Sequence, residues 1–326
     1  MTSRRRQNGH RRSNLARAVI GAVGALAVVG ISTLYLTGEP WSHQGHWGWQ
    51  GQTWEKRVTY AGALVTALGA VIALVVSYRK QQDLEDGRYA TQFAAGAAQL
   101  GDASAAVRIA GAYALAALAD GHRDRRQQCI DALCAYMRLA YDPEFGGGHA
   151  ASRTVESVNA AGTKSITTHT YRIADREVRL TIISILRDHL RDPKSRTSWC
   201  GYDLNFSGAV FDGGSFVGAH FTGGSVQFNG AKFVADRLSF FDAVFSGATV
   251  SFHGASFLGG LVSFDKARLE GSRIKFERSL FAKGGVTFDA TIFSSGSVQF
   301  DDAKFIKGWV KRDGLDFRGW NSEDGA

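Results

Sequence analysis

Three regimes of apolar spacing divide the chain. Residues 18–37 (AVIGAVGALAVVGISTLYLT) and 58–78 (VTYAGALVTALGAVIALVVSY) are apolar runs without a charged residue. Beyond them, apolar positions recur every three to four residues up to about residue 190, and from residue 204 they fall in pairs two apart on a beat of five and seven. The first regime predicts membrane-spanning helices, the second amphipathic helices and the third short strands.

The two runs, 20 and 21 residues long, are each sufficient to cross a hydrocarbon core of about 30 Å as a helix. They predict a hairpin: a basic cytoplasmic tail (1–17), a first span (18–37), a Trp-rich external loop (38–57) and a second span (58–78). Arg4, Arg5, Arg6, Arg11, Arg12 and Arg17 precede the first span, and Arg79 and Lys80 follow the second. By the positive-inside rule both ends face the cytoplasm of a bacterial inner membrane. Trp41, Trp47, Trp49 and Trp54 fit a membrane-interface belt, with Tyr35 and Tyr60 near the helix ends. Gly62, Thr66 and Ala70, spaced by four, would let the two helices approach closely. A cleaved leader is the rival reading of the first run, but no small-x-small cleavage site follows it. His43 and His46 lack further ligand partners and read as exposed loop residues.

The middle of the chain, 79–199, predicts a cytoplasmic helical domain. Its first helix opens at Ser104 and turns Val107, Gly111, Leu115 and Leu118 inward, closing at Gly121. A second, from Arg123 to about Tyr141, carries Ile130, Leu133, Cys134 and Met137 on one stripe. The third turns Val178, Ile182, Ile185, Leu186 and Leu190 inward. Two of these helices hold a Val-Arg pair followed by apolar residues, loosely similar to HEAT-type hairpins, in too few copies to define a solenoid. Residues 144–170, polar and rich in Gly and Thr, are expected to form a flexible loop. His122 beside Asp124, and His189 beside Asp188 and Asp192, are expected on the solvated faces.

The third regime, 200–308, is the most regular. Aromatics fall at Phe206, Phe211, Phe216 and Phe221 in steps of five. After a step of seven to Phe228, five and seven alternate through Phe233, Phe240, Phe245, Phe252, Phe257, Phe264, Leu269, Phe276, Phe281, Phe288, Phe293, Phe300 and Phe305. Two residues before each lies an aliphatic (Val226, Leu238, Val250) or a small side chain (Ala231, Ala243, Ala255), alternately. Residues two apart in a strand share a side, so each pair is a short face turned inward.

These units resemble the pentapeptide-repeat family, as in AVFDG around Phe211 and AHFTG around Phe221. The resemblance implies a right-handed quadrilateral parallel β-helix. Two residues are added here at every second corner, giving 12-residue double-face units and coils of about 24 residues, within the range of solenoid repeats. A narrower coil, with one such unit to each turn, is the competing geometry. In the four-faced coil four columns stack like on like, with Phe228 beneath Phe252. The added residues fall in Gly-rich corners such as Thr222-Gly-Gly224 and Leu258-Gly-Gly260, where a positive φ would widen the turn. The fold class is thus α+β and membrane-anchored: hairpin, small helical domain and β-helix. The third middle helix with Trp199 is the expected lid of the first coil. Residues 309–326, with Trp309, Phe317 and Trp320, are the expected cap of the last coil or a contact with a second copy.

Charge narrows the function classes. Of the net +8, +6 resides in residues 1–17, which hold six Arg and no acid, whereas residues 79–199 carry 17 basic and 14 acidic side chains and residues from Cys200 onward 13 and 14. Nucleic acid is therefore not an expected partner of the folded parts. Cys129, Cys134 and Cys200 are odd in number and read as buried thiols. No catalytic, metal or phosphate motif occurs, so no enzyme activity, cofactor or metal is expected. The outward set, including Lys232, Arg237, Asp242, Asp265, Arg268, Arg273, Lys275, Glu277, Arg278, Asp301 and Asp302, mixes both signs. Leu258, Leu261 and Phe241 are its candidate apolar patch. The expected function is a scaffold joining the lipid bilayer to a cytoplasmic protein partner, with a homodimer through the C-terminal end as candidate self-association. The resemblance also implies a topoisomerase-directed DNA mimic, which would need an acidic rod. A signalling or transport accessory role is the third reading, and the spans hold no charged residue to mark an ion route.

Overall fold

A computed structural model of the chain describes residues 52–143, 152–158, 164–170 and 174–316. Contacts divide it into two compact units, Met1–Arg88 and Tyr89–Ala326. The first expected span, the basic tail, Trp41, Trp47, Trp49, His43 and His46 lie outside the described residues, as do Phe317 and Trp320.

In the first unit the described part belongs to helix α1, Gln52–Leu100. The whole second apolar run lies within this helix, which passes Arg79 and Lys80 unbroken, both exposed. Trp54 and Tyr60 lie on the same helix, with side chains outside the described set. Among the described residues no helix is long and apolar enough to cross a membrane; positions 58–61 and 64–65 of the run have side chains outside that set. Ile72, Leu74 and Val76 are exposed. A Cβ at Gly62 would meet nothing within 4 Å, and the Thr66 hydroxyl donates back to the Gly62 carbonyl at 2.8 Å.

The second unit begins with the end of α1 and adds α2 (Ala105–Gly121), α3 (Arg126–Met137) and α4 (Asp175–Leu190). Leu115, Leu118, Ile130, Leu133, Val178, Ile182 and Leu186 form their common core. Gly111 lets α1 and α2 cross closely: a Cβ there would lie 2.5 Å from the Leu100 amide nitrogen. Val107, expected inward, is 36% exposed, while its neighbour Arg108 is fully buried. Gly111, Leu115 and Leu118 are buried as expected, and only at the start of the helix does Arg108, in place of Val107, turn inward, 3.8 Å from Asp175.

The segment expected as a flexible loop contains a two-stranded antiparallel ribbon, β1 (Ser152–Val158) with β2 (Lys164–Thr170), paired throughout. Thr154, Val155, Ile166, Thr167 and Thr168 supply the β-branched content that favours strands. Polarity hid that signal, since neither strand shows an apolar face.

From Leu204 the chain winds as a right-handed parallel β-solenoid of about four coils, with about 24 residues in each. Its four faces are sheets of five, five, six and four strands, and every strand except Leu315–Asp316 pairs with strands one coil away. Val226 pairs with Val250, Val250 with Ile274, and Ile274 with Val298, each in the next coil. The first coil is two shorter, so Leu204 pairs with Val226 and Phe211 with Phe233. This register rules out the narrower coil.

Corner geometry differs from the expectation. The regular left-handed position lies in the tight five-residue corners, two residues after the Phe that ends a long step, at Gly230, Asp242, Gly254, Lys266, Arg278 and Ala290. Wide corners use it unevenly: Gly223 and Gly224 have φ of 71° and 70°, but Gly259 and Gly260 are not left-handed. Glycine is needed there for close approach. The Phe233 carbonyl accepts from the amides of Leu258 (2.8 Å), Gly259 (3.3 Å) and Gly260 (3.2 Å) of the next coil, and a Cβ at Gly260 would sit 3.0 Å from the Ala235 oxygen. One coil on, the Phe257 carbonyl receives Ala282, Lys283 and Gly284 in the same way.

Both ends of the solenoid are finished differently. At the start, α3 and α4 cover the first coil: Ile183 Cδ1 lies 2.8 Å from a Cβ built on Gly214, and Trp199 is fully buried. At the far end, among the described residues, one face is extended, by Trp309–Arg312, to which Leu315–Asp316 returns antiparallel.

Candidate interaction surfaces

The interior of the solenoid is filled. Rings stack along each column, Phe206 on Phe228 at 5.2 Å, Phe228 on Phe252 at 4.8 Å, Phe252 on Phe276 at 4.7 Å and Phe276 on Phe300 at 4.9 Å. The column Phe211, Phe233, Phe257, Phe281 and Phe305 holds spacings of 5.4, 4.9, 4.5 and 4.6 Å. Phe216, Phe240, Phe264 and Phe288 follow at 5.3, 5.0 and 5.1 Å. In the fourth column Phe221 stacks on Phe245 at 4.8 Å, and Leu269 pairs in register with Phe245 below and Phe293 above. Neighbouring columns meet edge-on or tilted, which suits the ring quadrupole.

The inward set is not wholly apolar. Ser279 and Thr291, at the small positions, donate to the carbonyls of Phe252 (2.7 Å) and Phe264 (2.9 Å) in the preceding coil. These hydroxyls are spent on structure, so the lumen offers no free nucleophile.

On the outside, opposite charges pair both within a coil and between coils. Arg268 lies 3.9 Å from Asp242, Arg278 3.8 Å from Asp302, and Lys275 3.0 Å from Glu277. Lys275 holds the Glu277 carboxyl below its ordinary range. Exposed pairs of this kind contribute little to stability. Their effect is to cancel sign locally where they occur.

The expected apolar patch is split. Leu258, 38% exposed, and half-buried Leu261 flank a wide corner, whereas Phe241 lies at the tight corner ending the same face, beneath Lys266 Nζ at 5.2 Å. Larger exposures lie at the C-terminal coil, on Ile292 (55%), Ile306 (70%) and Leu315 (67%). Phe293, Phe300 and Phe305 are only partly buried there.

Sequence reasoning missed a buried ionic centre in the helical layer. Arg108 of α2 lies 3.8 Å from Asp175, and Arg179 Nε donates to the same carboxylate at 2.8 Å. The Tyr136 hydroxyl also donates to it. The guanidinium of Arg179 is completed by the Met137 and Leu139 carbonyls at the end of α3, each at 2.9 Å. The signal was present in the two Val-Arg pairs, whose arginines converge on one acid. A second centre joins His189 Nε2 to Asp120 Oδ2 at 3.0 Å, with Trp199 Nε1 donating to Asp120 Oδ1 at 3.1 Å and its ring stacked on His189 at 4.1 Å. His189 therefore pairs across helices rather than with its sequence neighbours on a solvated face.

All three cysteines are free, and burial raises each thiol pKa, that of Cys134 up to about 12. Such thiols are poor nucleophiles at neutral pH. The Tyr141 hydroxyl, donating to Asp212 at 2.5 Å, is raised by burial and by that carboxylate. Among the described residues no group of three or more His, Cys, Asp or Glu side chains is placed to hold a metal ion.

The molecule's class is therefore that of a parallel β-solenoid with a helical cap on its first coil. No protein-family model, curated protein or solved structure matches the chain.

Proposed function

We propose that the chain is a non-enzymatic scaffold of the bacterial inner membrane, whose pentapeptide-repeat-like solenoid binds a cytoplasmic protein through its outer surface and C-terminal end. The filled Phe ladder carries this reading, because it confines all available chemistry to the outside. The exposed Ile292, Ile306 and Leu315 mark the end coil as the place where a partner or a second copy would gain most from burial.

Support for the membrane hairpin comes from the charge-free run 58–78 inside one helix, the exposed Ile72, Leu74 and Val76, and the flanking Arg79 and Lys80. The near balance of 13 bases and 14 acids from Cys200 onward disfavours the DNA-mimic reading.

Crosslinking in intact membranes, comparing the tagged full chain with one lacking residues 200–326, tests the scaffold. A partner captured by the first and lost from the second is the expected result. Identical capture by both rejects a role for the solenoid. A reporter fused after Ala326 that is active only outside the cytoplasm would reverse the orientation.

A further inference from the structure

One tight corner of the solenoid buries oxygen atoms that have no partner. It follows the column Phe216, Phe240, Phe264 and Phe288, and successive coils place Phe241, Asp265, Asp289 and Asp313 there, one to each coil. Two residues upstream, the outer side of the strands carries Ser239, Ser263, Thr287 and Lys311 in register.

In the earlier coils the hydroxyl is used. Ser239 Oγ accepts the Phe241 amide at 3.3 Å, and Ser263 Oγ accepts the Asp265 amide at 3.4 Å while donating to Asp265 Oδ2 at 2.7 Å. At the next coil the Asp289 amide donates instead to Asp265 Oδ1, at 3.0 Å. The N–H that would have met Thr287 is thereby diverted. Thr287, only 8% exposed, keeps a buried Oγ1 without a partner, and Asp289 Oδ1 is buried and unpartnered as well. Thr287 stands two residues before Asp289, the same spacing at which Ser263 reaches Asp265.

The basic side chains nearby are engaged elsewhere. Lys266 Nζ lies over Phe241 at 5.2 Å, Lys311 Nζ over Trp309 at 4.9 Å, and Arg312 pairs with Asp313 at 3.7 Å. Two half-buried carboxylates stacked one coil apart, a separation of about 4.8 Å, repel each other, and Asp289 Oδ1 is desolvated without a hydrogen bond to compensate.

We propose that Asp265 and Asp289, with Thr287 Oγ1 and water, bind one hard divalent cation, calcium in preference to magnesium. Carboxylate and hydroxyl oxygens are the ligands such ions take, and each carboxylate oxygen that accepts one hydrogen bond keeps a second lone pair. Calcium tolerates irregular oxygen geometry, whereas magnesium demands a near-ideal octahedron that strands fixed at coil spacing do not supply. Two carboxylates suffice, so the site differs from the three-acid groupings that the described residues lack. Bound there, the ion ties two consecutive coils together near the C-terminal end of the solenoid.

The test is calorimetric titration of the EDTA-stripped, full-length protein with calcium chloride, and separately with magnesium chloride, alongside thermal unfolding. One calcium per chain is expected, with a Kd of about 10⁻⁴ to 10⁻³ M and a rise in Tm. Asp289→Asn and the isosteric Thr287→Val should each weaken binding about ten-fold or more, while Asp301→Asn leaves it unchanged. Circular dichroism of the metal-free variants confirms that they fold, and Thr287→Val alone decides if Asp289→Asn does not. No binding at about 20 mM calcium, a magnitude well above such a Kd, overturns the proposal. So does an equal response to both ions that survives the Asp289 and Thr287 substitutions.

Discussion

The ring of Phe228 lies parallel to that of Phe252, with centroids 4.8 Å apart and 7° between the planes. Phe228 also meets Phe240 of its own coil, but edge-on, at 6.1 Å and 83°. Vertical stacking thus links coils, and edge contacts tie the columns within a coil.

Phe252 is fully buried between Phe228 and Phe276. Replacing it by Ala should cost about 3–5 kcal/mol through the cavity it leaves. Phe252→Leu should cost far less, since Leu269 already fills one rung of the fourth column without exposure. Denaturant unfolding of the two variants measures the difference.

Two corner positions should respond in opposite ways. Ala290 holds φ of 54°, so Ala290→Gly is expected to stabilise by up to about 1 kcal/mol. Gly284 is not left-handed, but a Cβ there would fall 2.3 Å from the Gly260 oxygen. Gly284→Ala should therefore destabilise by about 3 kcal/mol or more, through forced displacement of backbone. Thermal shifts of opposite sign are the readout.

Asp175 neutralises Arg179 and faces Arg108, both buried. Asp175→Asn leaves two guanidinium groups without their acid and should cost about 3–5 kcal/mol. A loss below about 1 kcal/mol, the range of exposed pairs, would show that the carbonyls alone suffice, those of Asp102 and Ala103 for Arg108 and those of Met137 and Leu139 for Arg179.

The Cys134 thiol, fully enclosed, is raised by burial from 9.0 to about 12. The folded state then holds a proton that the unfolded chain releases, so stability falls with rising pH. The contribution is intact below 9.0 and lost by about 12. Cys134→Ala should flatten this alkaline decline, and iodoacetamide should label Cys134 at pH 8 only after denaturation.

The inward register was legible because an aromatic at i and an aliphatic or small residue at i−2 can be satisfied only by a strand with one buried side. The alternation of Val226, Leu238 and Val250 with Ala231 and Ala243 gave only a 12-residue unit; the four-faced resemblance doubled it to a coil of about 24, and the pairing of Val226 with Val250 bears that out. The left-handed corners were not legible, because Asp242, Lys266, Arg278 and Ala290 take a conformation usually left to glycine. Tertiary hydrogen bonds hold them there: the Lys266 amide, for example, donates to the Asp289 carbonyl of the next coil at 2.8 Å. The ionic centre at Asp175 was hidden for a related reason. A charged residue on a helix reads as solvated until another element brings its partner, and Arg108 and Asp175 stand on different helices, α2 and α4.

The coil-to-coil register has an evolutionary consequence. Every face hands its hydrogen bonds to the residue one coil ahead, so the gene can gain or lose a segment of that length with each remaining strand still meeting an equivalent neighbour. A deletion of a single codon has no such refuge, since it turns one inward side chain out and misaligns the face above and below. The rod is quantised in length: drift proceeds by whole coils, and point changes accumulate on the outer surface, where a binding specificity can be rewritten without disturbing the ladder inside.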